Sequence, residues 1–574
     1  MPFDVREILK YLDEGHHPDA GPPRWLRESW EDPEGFFVAL RAAHAGRSAV
    51  QPKSQPGQHY DLFHDLVLRH FDSDRVALRA YDKLRGWQTL SYRQLHDRAS
   101  RRSAEWAEQG VKPGAKVCLI YNVGVEQVIS LLAALQLGAC VSLLPTRGMS
   151  FVPHRLEILQ PDHIAAEPHQ VPLFEGFEKL LLRGRGVATP RFSSHVYEPD
   201  EPVGLLFSPL ADPPDTPVPL TAAQAWQGAL CDGMLTFGLG VGDHLAAPGL
   251  HFLQHQPALL FAALLRGATF LHLELEDLER DPTPLYTHPI HTMGVCPELR
   301  EILLKSRSGS LAKVSLWFRS PEEPLDWKSW RDWVRQCELT EAQHANVLID
   351  AAAGGMVVGS LRRVGDIHVD ASPAPGRTWT LKDINMSGQE APGDVGVFTL
   401  LPDEERPPGH VVLSRVRDQH LYAATRDVRR EGRVYPAAEV VTALQDMPFS
   451  AGASVFPVPT GGLQGHSYVL LVFTGAELPA VTAREAGTRR EQIRQHLELQ
   501  LGAEYLPDRI EFFPLYPRMA KKGLDDAWCR SQYETGALHR KSNHPIFRAI
   551  TGVRGRLLES EARSGDDARD RMTG

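Results

Sequence analysis

The stretch KVCLIYNVGVEQVISLLAALQLGACVSLL, residues 116–144, decides the fold class of this chain. Lys116–Tyr121 is an apolar run typical of a buried strand, Val125–Leu137 has the spacing of a helix, and Ala139–Leu144 is a second buried strand. Gly138, between the helix and the second strand, is typical of a helix end. Two buried strands joined by a helix predict a parallel pair, and therefore an α/β fold.

The alternation of strands and helices continues on both sides of this stretch. On the amino-terminal side, the patterns predict a helix at Tyr60–Phe71, a hairpin of Val76–Tyr81 with Gly86–Leu90, and a helix at Ser91–Gln109. On the other side, short apolar strands are predicted at His163–Glu167, Gly204–Phe207, Ala268–Leu273, Val314–Phe318 and Asn346–Ile349. The chain therefore predicts a large domain with mainly parallel sheets.

Changes in composition divide the chain into four predicted segments. Residues 1–57 form an N-terminal extension and linker, in which Trp25 and Trp30 are expected to pin the segment onto a larger body. Residues 58–425 form the large domain, 426–545 a small α+β domain, and 546–574 a charged tail that is expected to be disordered. The helices and strands of the small domain are predicted at Ala437–Gln445, Tyr468–Phe473, Arg484–Leu499 and Arg509–Phe513.

The composition argues against several classes of protein. A chain of 574 residues is too long for a single core, and its formal net charge of -10 argues against nucleic-acid binding. Six scattered cysteines without metal-ligand spacing predict no metal site. These thiols and the lack of a signal-peptide pattern predict a cytoplasmic protein, and no apolar run is long enough to predict a membrane span.

The stretch GLLFSPLADPPDTPVPLTA, residues 204–222, has the position of a phosphate-binding loop without its residues. A strand, a loop and a helical pattern follow one another, an order in which backbone N–H groups and hydroxyls often hold phosphate. This loop is rich in proline, which has no N–H group, and contains two aspartates, which repel phosphate. The loop is therefore predicted to be structural.

Five segments carry a resemblance to a known superfamily. They are residues 89–145, 243–273 (DHLAAPGLHFLQHQPALLFAALLRGATFLHL), 291–304 (HTMGVCPELREILL), 432–444 (GRVYPAAEVVTAL) and 513–530 (FPLYPRMAKKGLDDAWCR). Together they resemble the adenylate-forming superfamily of acyl-CoA synthetases, adenylation domains and luciferases, most closely its benzoate-type aryl-CoA ligases. The resemblance implies an adenylate-forming fold with a small C-terminal lid that swings about a hinge near Arg426-Asp427. It also implies a reaction in which ATP and an acid give an acyl-adenylate, from which a thiol takes the acyl group.

Four signatures of these ligases are missing when the chain is aligned by this resemblance. The phosphate loop of the family is replaced by Ser208–Pro213, and Thr216 lies near its lysine. Ala351–Met356 lacks the glutamate that holds Mg²⁺, Leu413 replaces the ribose-binding aspartate, and Gly523 replaces the lid lysine. Because adenylation needs this electrostatic help, we predict that the chain uses neither ATP nor Mg²⁺ and binds no cofactor tightly.

The second half of the ligase reaction needs no ATP, because moving an acyl group between two thiols is close to thermoneutral. The resemblance then implies an ATP-independent acyltransferase like the ligase-related aryl (anthraniloyl-type) transferases of natural-product pathways. Such an enzyme moves an acyl group, in particular an aryl group, from a coenzyme A thioester to the pantetheine thiol of a phosphopantetheinylated carrier protein. Because both thiols use one tunnel, a ping-pong route through an enzyme cysteine thioester is expected.

Cys296 is the predicted nucleophile, because it lies in MGVCPEL, where the resemblance places an acyl-pocket valine before a proline. The alternative is that Cys296 is a small apolar residue in the place of that valine. The other cysteines are expected elsewhere. Cys118 and Cys140 are expected in buried strands and Cys231 on a helix. Cys337 is expected in a charged, surface-like segment and Cys529 in the lid.

A thiolate nucleophile needs a base or a positive potential, and four histidines lie in or beside the two pocket segments. His251 and His255 are the predicted catalytic partners, ahead of His288 and His291, and each of the four can also be purely structural.

The resemblance also predicts the binding residues. The substrate pocket is expected to include Phe252, Gln254, Gly294, Val295 and Ala353. The coenzyme A site is expected to include Arg426, Gly432, Lys521 and Lys522, although the two lysines can also form a solvated basic turn.

Two other functions are compatible with the sequence. One is a non-catalytic, ligase-derived binding protein, and the other is an ATP-dependent acyl- or aryl-CoA ligase with atypical motifs. The histidines of the pocket segments and the complete lid favour the transferase over the binding protein.

Overall fold

The computed structural model divides the chain into two compact units. One unit comprises residues 1–144 and 158–425, and the other comprises residues 145–157 and 426–574. The structure describes residues 3–17, 21–46, 50–82, 86–146, 151–167, 180–184, 188–189, 193–208, 210, 216–250, 252–306, 309–321, 327–365, 367–368, 370–382, 395–400, 412–416, 419–422, 429–430, 433–434, 440–441, 443–444, 447–459, 466–475, 483–501, 506–520, 523–524, 526–534 and 536–539.

The α-helices of these described residues are numbered in chain order. They are α1 Val5–Glu14, α2 Arg24–Glu31, α3 Pro33–Ala45, α4 Leu62–Leu66, α5 Tyr92–Glu108, α6 Val125–Leu137, α7 Phe151–Leu159, α8 Ala222–Cys231, α9 Phe252–His255, α10 Ala258–Leu265, α11 Leu275–Leu278, α12 Thr283–Thr287, α13 Pro297–Ser306, α14 Trp327–Gln336, α15 Ala483–Leu501 and α16 Asp526–Glu534. Short 3-10 turns lie at Leu68–His70 and Ala351–Ala353, and a π-helical turn lies at Asp232–Thr236.

The strands of the described residues are numbered in the same way. They are β1 Val76–Asp82, β2 Gly86–Ser91, β3 Lys116–Ile120, β4 Cys140–Leu144, β5 His163–Ala166, β6 Pro202–Leu206, β7 Val218–Thr221, β8 His244–Ala246, β9 Thr269–His272, β10 Thr292–Gly294, β11 Leu316–Arg319, β12 Gln343–Asp350, β13 Gly355–Gly359, β14 Ser372–Pro373, β15 Trp379–Lys382, β16 Val395–Leu400, β17 Val412–Val416, β18 Gln419–Tyr422, β19 Arg429–Arg430, β20 Arg433–Val434, β21 Gly452–Pro459, β22 His466–Phe473, β23 Arg509–Phe513, β24 Met519–Ala520 and β25 Gly523–Leu524.

The largest sheet has the strand order β14-β13-β12-β11-β10-β8-β9-β1-β2. The strands from β12 to β1 in this order pair in parallel, and the outer pairs are antiparallel. The predicted mainly parallel α/β fold is therefore confirmed. Because parallel strands end at the same edge of a sheet, the chain leaves β10 and β12 on one side of the molecule.

The second sheet of the large unit contains the stretch on which the fold prediction rests. Its order is β5-β3-β4-β6-β7, and β3 pairs in parallel with both β4 and β5. Ser91 and Gln94 form a capping box at the start of α5, and Gly138 ends α6 at a φ of 80°. The predicted strands and helices of this region are confirmed to within a few residues.

Residues 204–222 contain the predicted strand, which is β6, and the start of the predicted helix, which is α8, but also a second strand that was not predicted. β6 and β7 pair antiparallel, and Thr221 at the end of β7 caps α8 together with Gln224. Sequence reasoning missed β7 because it is only four residues long and contains Pro219, which is tolerated here at the edge of the sheet.

The N-terminal extension packs on the large unit through buried aromatic residues and hydrogen bonds. Trp25 is buried, and the hydroxyl of Tyr11 on α1 donates to the Leu235 carbonyl oxygen over 3.1 Å. The Arg362 N–H donates to the same Tyr11 hydroxyl over 3.0 Å. Even the polar linker is engaged, because the buried Ser54 donates its N–H to Asp65.

The predicted helix at Tyr60–Phe71 is wrong in one respect, because it breaks at Val67. α4 ends at Leu66, Val67 has a φ of -132°, and a 3-10 turn follows. The break allows the buried Arg69 guanidinium to contact the Leu265 carbonyl oxygen and the His44 imidazole.

The smaller unit contains a three-stranded sheet in the order β21-β22-β23. β22 and β23 match the predicted strands and pair in parallel, while β21 was not predicted because Pro457 and Pro459 obscure its pattern. Residues of α15 such as Ile493 and Leu497 join apolar residues of this sheet in one buried cluster. The predicted small α+β domain is therefore present.

Candidate functional site

Two strand ends at one edge of the large sheet carry the candidate site. β10 and β12 flank β11 and run parallel to it, so the polypeptide leaves the sheet on the same side after each of these two strands. After β10, Cys296 caps the start of α13, and at the end of β12, Asp350 caps the 3-10 turn Ala351–Ala353. The geometry of these two ends decides what chemistry is available here.

The Cys296 thiol lies against the first turn of α13. The Leu299 N–H donates to the Cys296 sulfur over 3.5 Å, and the thiol donates to the Pro248 carbonyl oxygen over 3.6 Å. The side chain is 7% exposed. The N-terminus of a ten-residue helix has a partial positive charge, which favours a negative charge at the sulfur atom.

The turn Pro248–Gly249 approaches this thiol closely. Gly249 has a φ of 79°, and a Cβ atom added to it would lie 2.7 Å from the Cys296 sulfur. Cys296 also belongs to a buried apolar cluster with Leu299 and Leu303, so its place suits both a nucleophile and a small apolar side chain.

The other cysteines are held as neutral thiols or lie in the smaller unit. Burial raises the pKa of Cys140 and of Cys337 to about 12, and it raises the pKa values of Cys118 and Cys231 further. The prediction of a surface-like position for Cys337 is wrong, because this residue is only 2% exposed. Cys529 is buried in an apolar cluster of the smaller unit.

The predicted pocket residues come from elements that meet at this edge. α9, which contains Phe252, Gln254 and His255, packs against β12 and against the 3-10 turn that contains Ala353. Gln254 and His255 are buried, and both take part in polar or ring contacts.

Gly294 and Val295 were also predicted for the pocket; Gly294 ends β10, and Val295 lies between it and Cys296. A Cβ atom at Gly294 would lie 2.7 Å from the Phe318 ring and 2.9 Å from Ala247, so this wall of the site requires glycine. Val295 is buried, and its N–H donates to the Phe318 carbonyl oxygen over 2.8 Å.

Two of the considered histidines lie elsewhere. His291 precedes β10 whereas Cys296 follows it, so the two are at opposite ends of that strand. The Nδ1 atom of His291 accepts from the His244 N–H, and the His288 imidazole lies 3.0 Å from the Arg79 guanidinium. His251, Arg426, Gly432, Lys521 and Lys522 lie outside the described residues.

Asp350, at the second strand end, is surrounded by donors from the protein itself. It accepts from the Ala352 N–H over 3.0 Å and from the Ser208 hydroxyl, and it is 5% exposed. Burial raises the pKa of its carboxyl to about 6, against the opposing effect of these hydrogen bonds. Ser208 also accepts from the N–H of Leu210, whose side chain is buried in an apolar cluster with Val357.

Sequence reasoning missed two charged residues beside this turn. The Arg377 guanidinium donates to the Ala353 carbonyl oxygen over 2.7 Å. Asp232, at the start of the π-helical turn, accepts from the Met356 N–H over 2.9 Å and from the Thr236 hydroxyl. Burial raises the pKa of Asp232 to about 6, and the charge of Arg377 opposes this effect at both Asp232 and Asp350.

The described part of the chain contains no group of three or more His, Cys, Asp or Glu side chains that could hold a metal ion. Within the same residues, no helix combines the length and apolarity that crossing a membrane requires. At the end of β12, the Asp350 carboxylate is buried and makes hydrogen bonds within the protein.

Comparison with known proteins supports the resemblance seen in the sequence. The family model described as AMP-binding enzyme matches residues 68–157. No curated protein sequence matches the chain.

The fold is that of acyl-CoA ligases of known structure. Acetoacetyl-CoA synthetase from Streptomyces lividans has a TM-score of 0.60 at 14% identity, over 96% of this chain and 97% of its own. The anthranilate CoA ligase AuaEII in complex with anthranoyl-AMP has a TM-score of 0.56 at 16% identity, over 84% and 98%. The acyl-CoA synthetase of Brucella canis has a TM-score of 0.52 at 17% identity, over 87% and 98%. The predicted adenylate-forming fold is thereby confirmed.

Proposed function

We propose that this chain, which has the fold of the acyl-CoA ligases, is an ATP-independent acyltransferase. It moves an acyl group, in particular an aryl group, from a coenzyme A thioester to the phosphopantetheine thiol of a carrier protein. The observation that carries this proposal is the thiol of Cys296 at the first turn of α13, two residues after Gly294 of the predicted acyl pocket.

The turn at Asp350 supports the absence of ATP from this reaction. In ligases of this fold, a carboxylate after the strand equivalent to β12 and a polar loop after β6 serve the nucleotide. Here Asp350 and Ser208 bind each other, and Leu210 of the loop is buried among apolar side chains. A side chain whose hydrogen bonds are made within the protein has little left to offer a phosphate or a metal ion.

In the first step, the Cys296 thiolate attacks the thioester carbonyl carbon of the acyl-CoA. The new C–S bond forms at Cys296, the C–S bond to coenzyme A breaks, and the coenzyme A thiolate leaves and takes up a proton. We assign His251 and His255 as the candidates for the base that removes the Cys296 proton.

In the second step, the deprotonated pantetheine thiol of the carrier protein attacks the acyl-Cys296 thioester. The acyl group leaves on the carrier, and the Cys296 thiolate is released for the next cycle. Arg426, Gly432, Lys521 and Lys522 are proposed to contact coenzyme A and the pantetheine arm. All six cysteines are free thiols, which fits a reducing cytoplasm.

A second candidate function is an ATP-dependent acyl- or aryl-CoA ligase. The AMP-binding family model over residues 68–157 and the ligases of similar fold favour it at least as well. This candidate requires that the chain bind ATP despite the engagement of Asp350 and Ser208.

One experiment separates the two candidates. Incubation with benzoyl-CoA and other acyl-CoAs, without ATP, is expected to give an acyl adduct of the protein by intact-mass spectrometry, and transfer to a pantetheinylated carrier protein should discharge it. In parallel, acid-dependent pyrophosphate exchange over a panel of aryl acids should remain at background. Exchange above background would contradict the transferase and support the ligase.

A further inference from the structure

The N-terminal extension holds a turn of the large unit that leads directly to the candidate site. The Ser29 hydroxyl oxygen accepts from the Gly376 N–H over 3.0 Å, and the Trp30 indole N–H donates to the Ala374 carbonyl oxygen over 3.2 Å. Gly376 has a φ of 72°, and the rings of Phe36 and Phe37 occupy the space that a Cβ atom would need. The turn is thus fixed by α2 and α3.

Arg377 is the residue that follows this turn. Its guanidinium donates to the Ala353 carbonyl oxygen over 2.7 Å and faces the buried carboxyl groups of Asp232 and Asp350. A guanidinium presents its donors in a rigid fork and stays charged when buried, so it can bond a carbonyl oxygen and keep a positive charge near two carboxyl groups better than lysine can.

The Ala353 carbonyl oxygen belongs to the turn against which α9 packs. Within the same turn, the Ala351 carbonyl oxygen already accepts from the Gly354 N–H. A continuous chain of contacts therefore runs from Ser29 through Gly376 and Arg377 to the wall of the predicted acyl pocket.

We infer that Arg377 is a positioning residue for this wall, and that the N-terminal extension places its guanidinium. Arg377 does not contact a reacting atom. It holds the turn Ala351–Ala353 in place and, through that turn, the position of α9. The inference rests on the proposed function in one respect, namely that the space beside α9 receives the acyl group. The extension is then a functional part of the acyl site.

The test compares acyl-group selectivity with stability. In Arg377→Gln, we expect the KM for benzoyl-CoA to rise about tenfold and the preference for benzoyl-CoA over acetyl-CoA to fall about tenfold, while kcat changes less than about threefold. Arg377→Lys keeps the charge and should recover part of the selectivity. Ser29→Ala, at the other end of the contact chain, should shift selectivity in the same direction by a smaller factor.

The control is Arg24→Ala, which removes an exposed ion pair with Glu28 from the same helix as Ser29 and should leave KM, kcat and selectivity unchanged. Unchanged selectivity in a folded Arg377→Gln variant would overturn the inference. If Arg377→Gln does not fold, Ser29→Ala and Arg377→Lys decide, and wild-type selectivity in both overturns it.

Calorimetry with benzoyl-CoA and acetyl-CoA separates this inference from the proposed function. If the wild type binds both thioesters but transfers neither, the transferase is wrong, and weaker benzoyl-CoA binding by Arg377→Gln still supports the positioning role. If the wild type transfers the acyl group and Arg377→Gln binds and transfers like it, only the positioning role is wrong.

Discussion

The two strand ends of the site differ in how their polar side chains are used. Asp350 ends β12 and Cys296 follows β10, two positions away in the same sheet, and each residue caps the helical turn that comes next. Asp350 accepts from a backbone N–H and from the Ser208 hydroxyl, and it faces Arg377. The Cys296 sulfur accepts from the Leu299 N–H over 3.5 Å, and its thiol donates to the Pro248 carbonyl oxygen over 3.6 Å, beside Gly249 and apolar side chains.

This difference indicates which of the two strand ends can supply a reactive side chain. A buried carboxyl with its hydrogen bonds made within the protein contributes to structure, and removing one of its partners is costly. A thiol at a helix start has its charge favoured by the helix while its sulfur remains a nucleophile. Both residues lie at the end of a strand at one edge of the sheet. Asp350 therefore has a structural role, whereas Cys296 is proposed to have a catalytic one.

The largest expected effect comes from removing the thiol. Cys296→Ala should abolish the acyl adduct and reduce acyl transfer by about a thousandfold or more, because no other described thiol of the large unit is poised for attack. The measurement is intact-mass spectrometry with benzoyl-CoA together with a transfer assay. Cys337→Ala is the matched control and should transfer normally; an adduct of normal amount in Cys296→Ala would contradict the assignment.

The next effect concerns the glycines that back the two ends. A Cβ atom at Gly228 on α8 would collide with the Gly354 carbonyl, so Gly228→Ala should displace the Asp350 turn and lower the free energy of unfolding by about 3 kcal/mol. Gly249→Ala, beside Cys296, should cost about 1–2 kcal/mol but slow adduct formation about tenfold. Urea unfolding measures the loss of stability, and the rate of acyl-adduct formation measures the effect on reaction. Equal rates of adduct formation in Gly228→Ala and Gly249→Ala would contradict the different roles of Asp350 and Cys296.

The smallest effect is a pH dependence of stability at Asp350. The pKa of its carboxyl is about 6 in the folded protein, against an ordinary value of 3.8 in an unfolded chain. Between these two pH values, the folded protein therefore binds more protons than the unfolded chain. Stability from this group is therefore present at low pH and is lost as the pH rises through about 6. Asp350→Asn removes the charge, and its stability relative to wild type should be greater at pH 7.5 than at pH 4.5 by about 1–2 kcal/mol. Urea unfolding at the two pH values measures this, and a difference of the opposite sign would show that the ionised carboxylate is favourable.

Much of the fold was predictable because its signals are local. The strands and helix of residues 116–144 have clear apolar patterns, and Ser91 and Gly138 mark helix ends by their own chemistry. Cys337 could also have been placed correctly, because Trp330, Trp333 and Cys337 follow helical spacing and form one buried face. The charged residues between them obscured that pattern.

The candidate site was less predictable because its polar contacts are not local. Arg377 contacts a carbonyl oxygen 24 positions earlier and faces Asp232, which is farther still along the chain. Nothing in PAPGR indicates this, since a proline-glycine turn followed by arginine is common on surfaces. Asp350 was predicted only as the end of a strand, because its use depends on Ser208, which follows β6 of the other sheet.

The packing of the N-terminal extension against residues 374–376 also has a consequence for synthesis of the chain. Trp30 and Ser29 find their partners 344 and 347 positions later, so the extension leaves the ribosome long before the surface that receives it. At about 5–20 residues per second, roughly 20–70 s separate the two events. During that interval Trp25, Phe36 and Phe37 are exposed apolar side chains on a nascent chain, so this segment is buried long after it is synthesised.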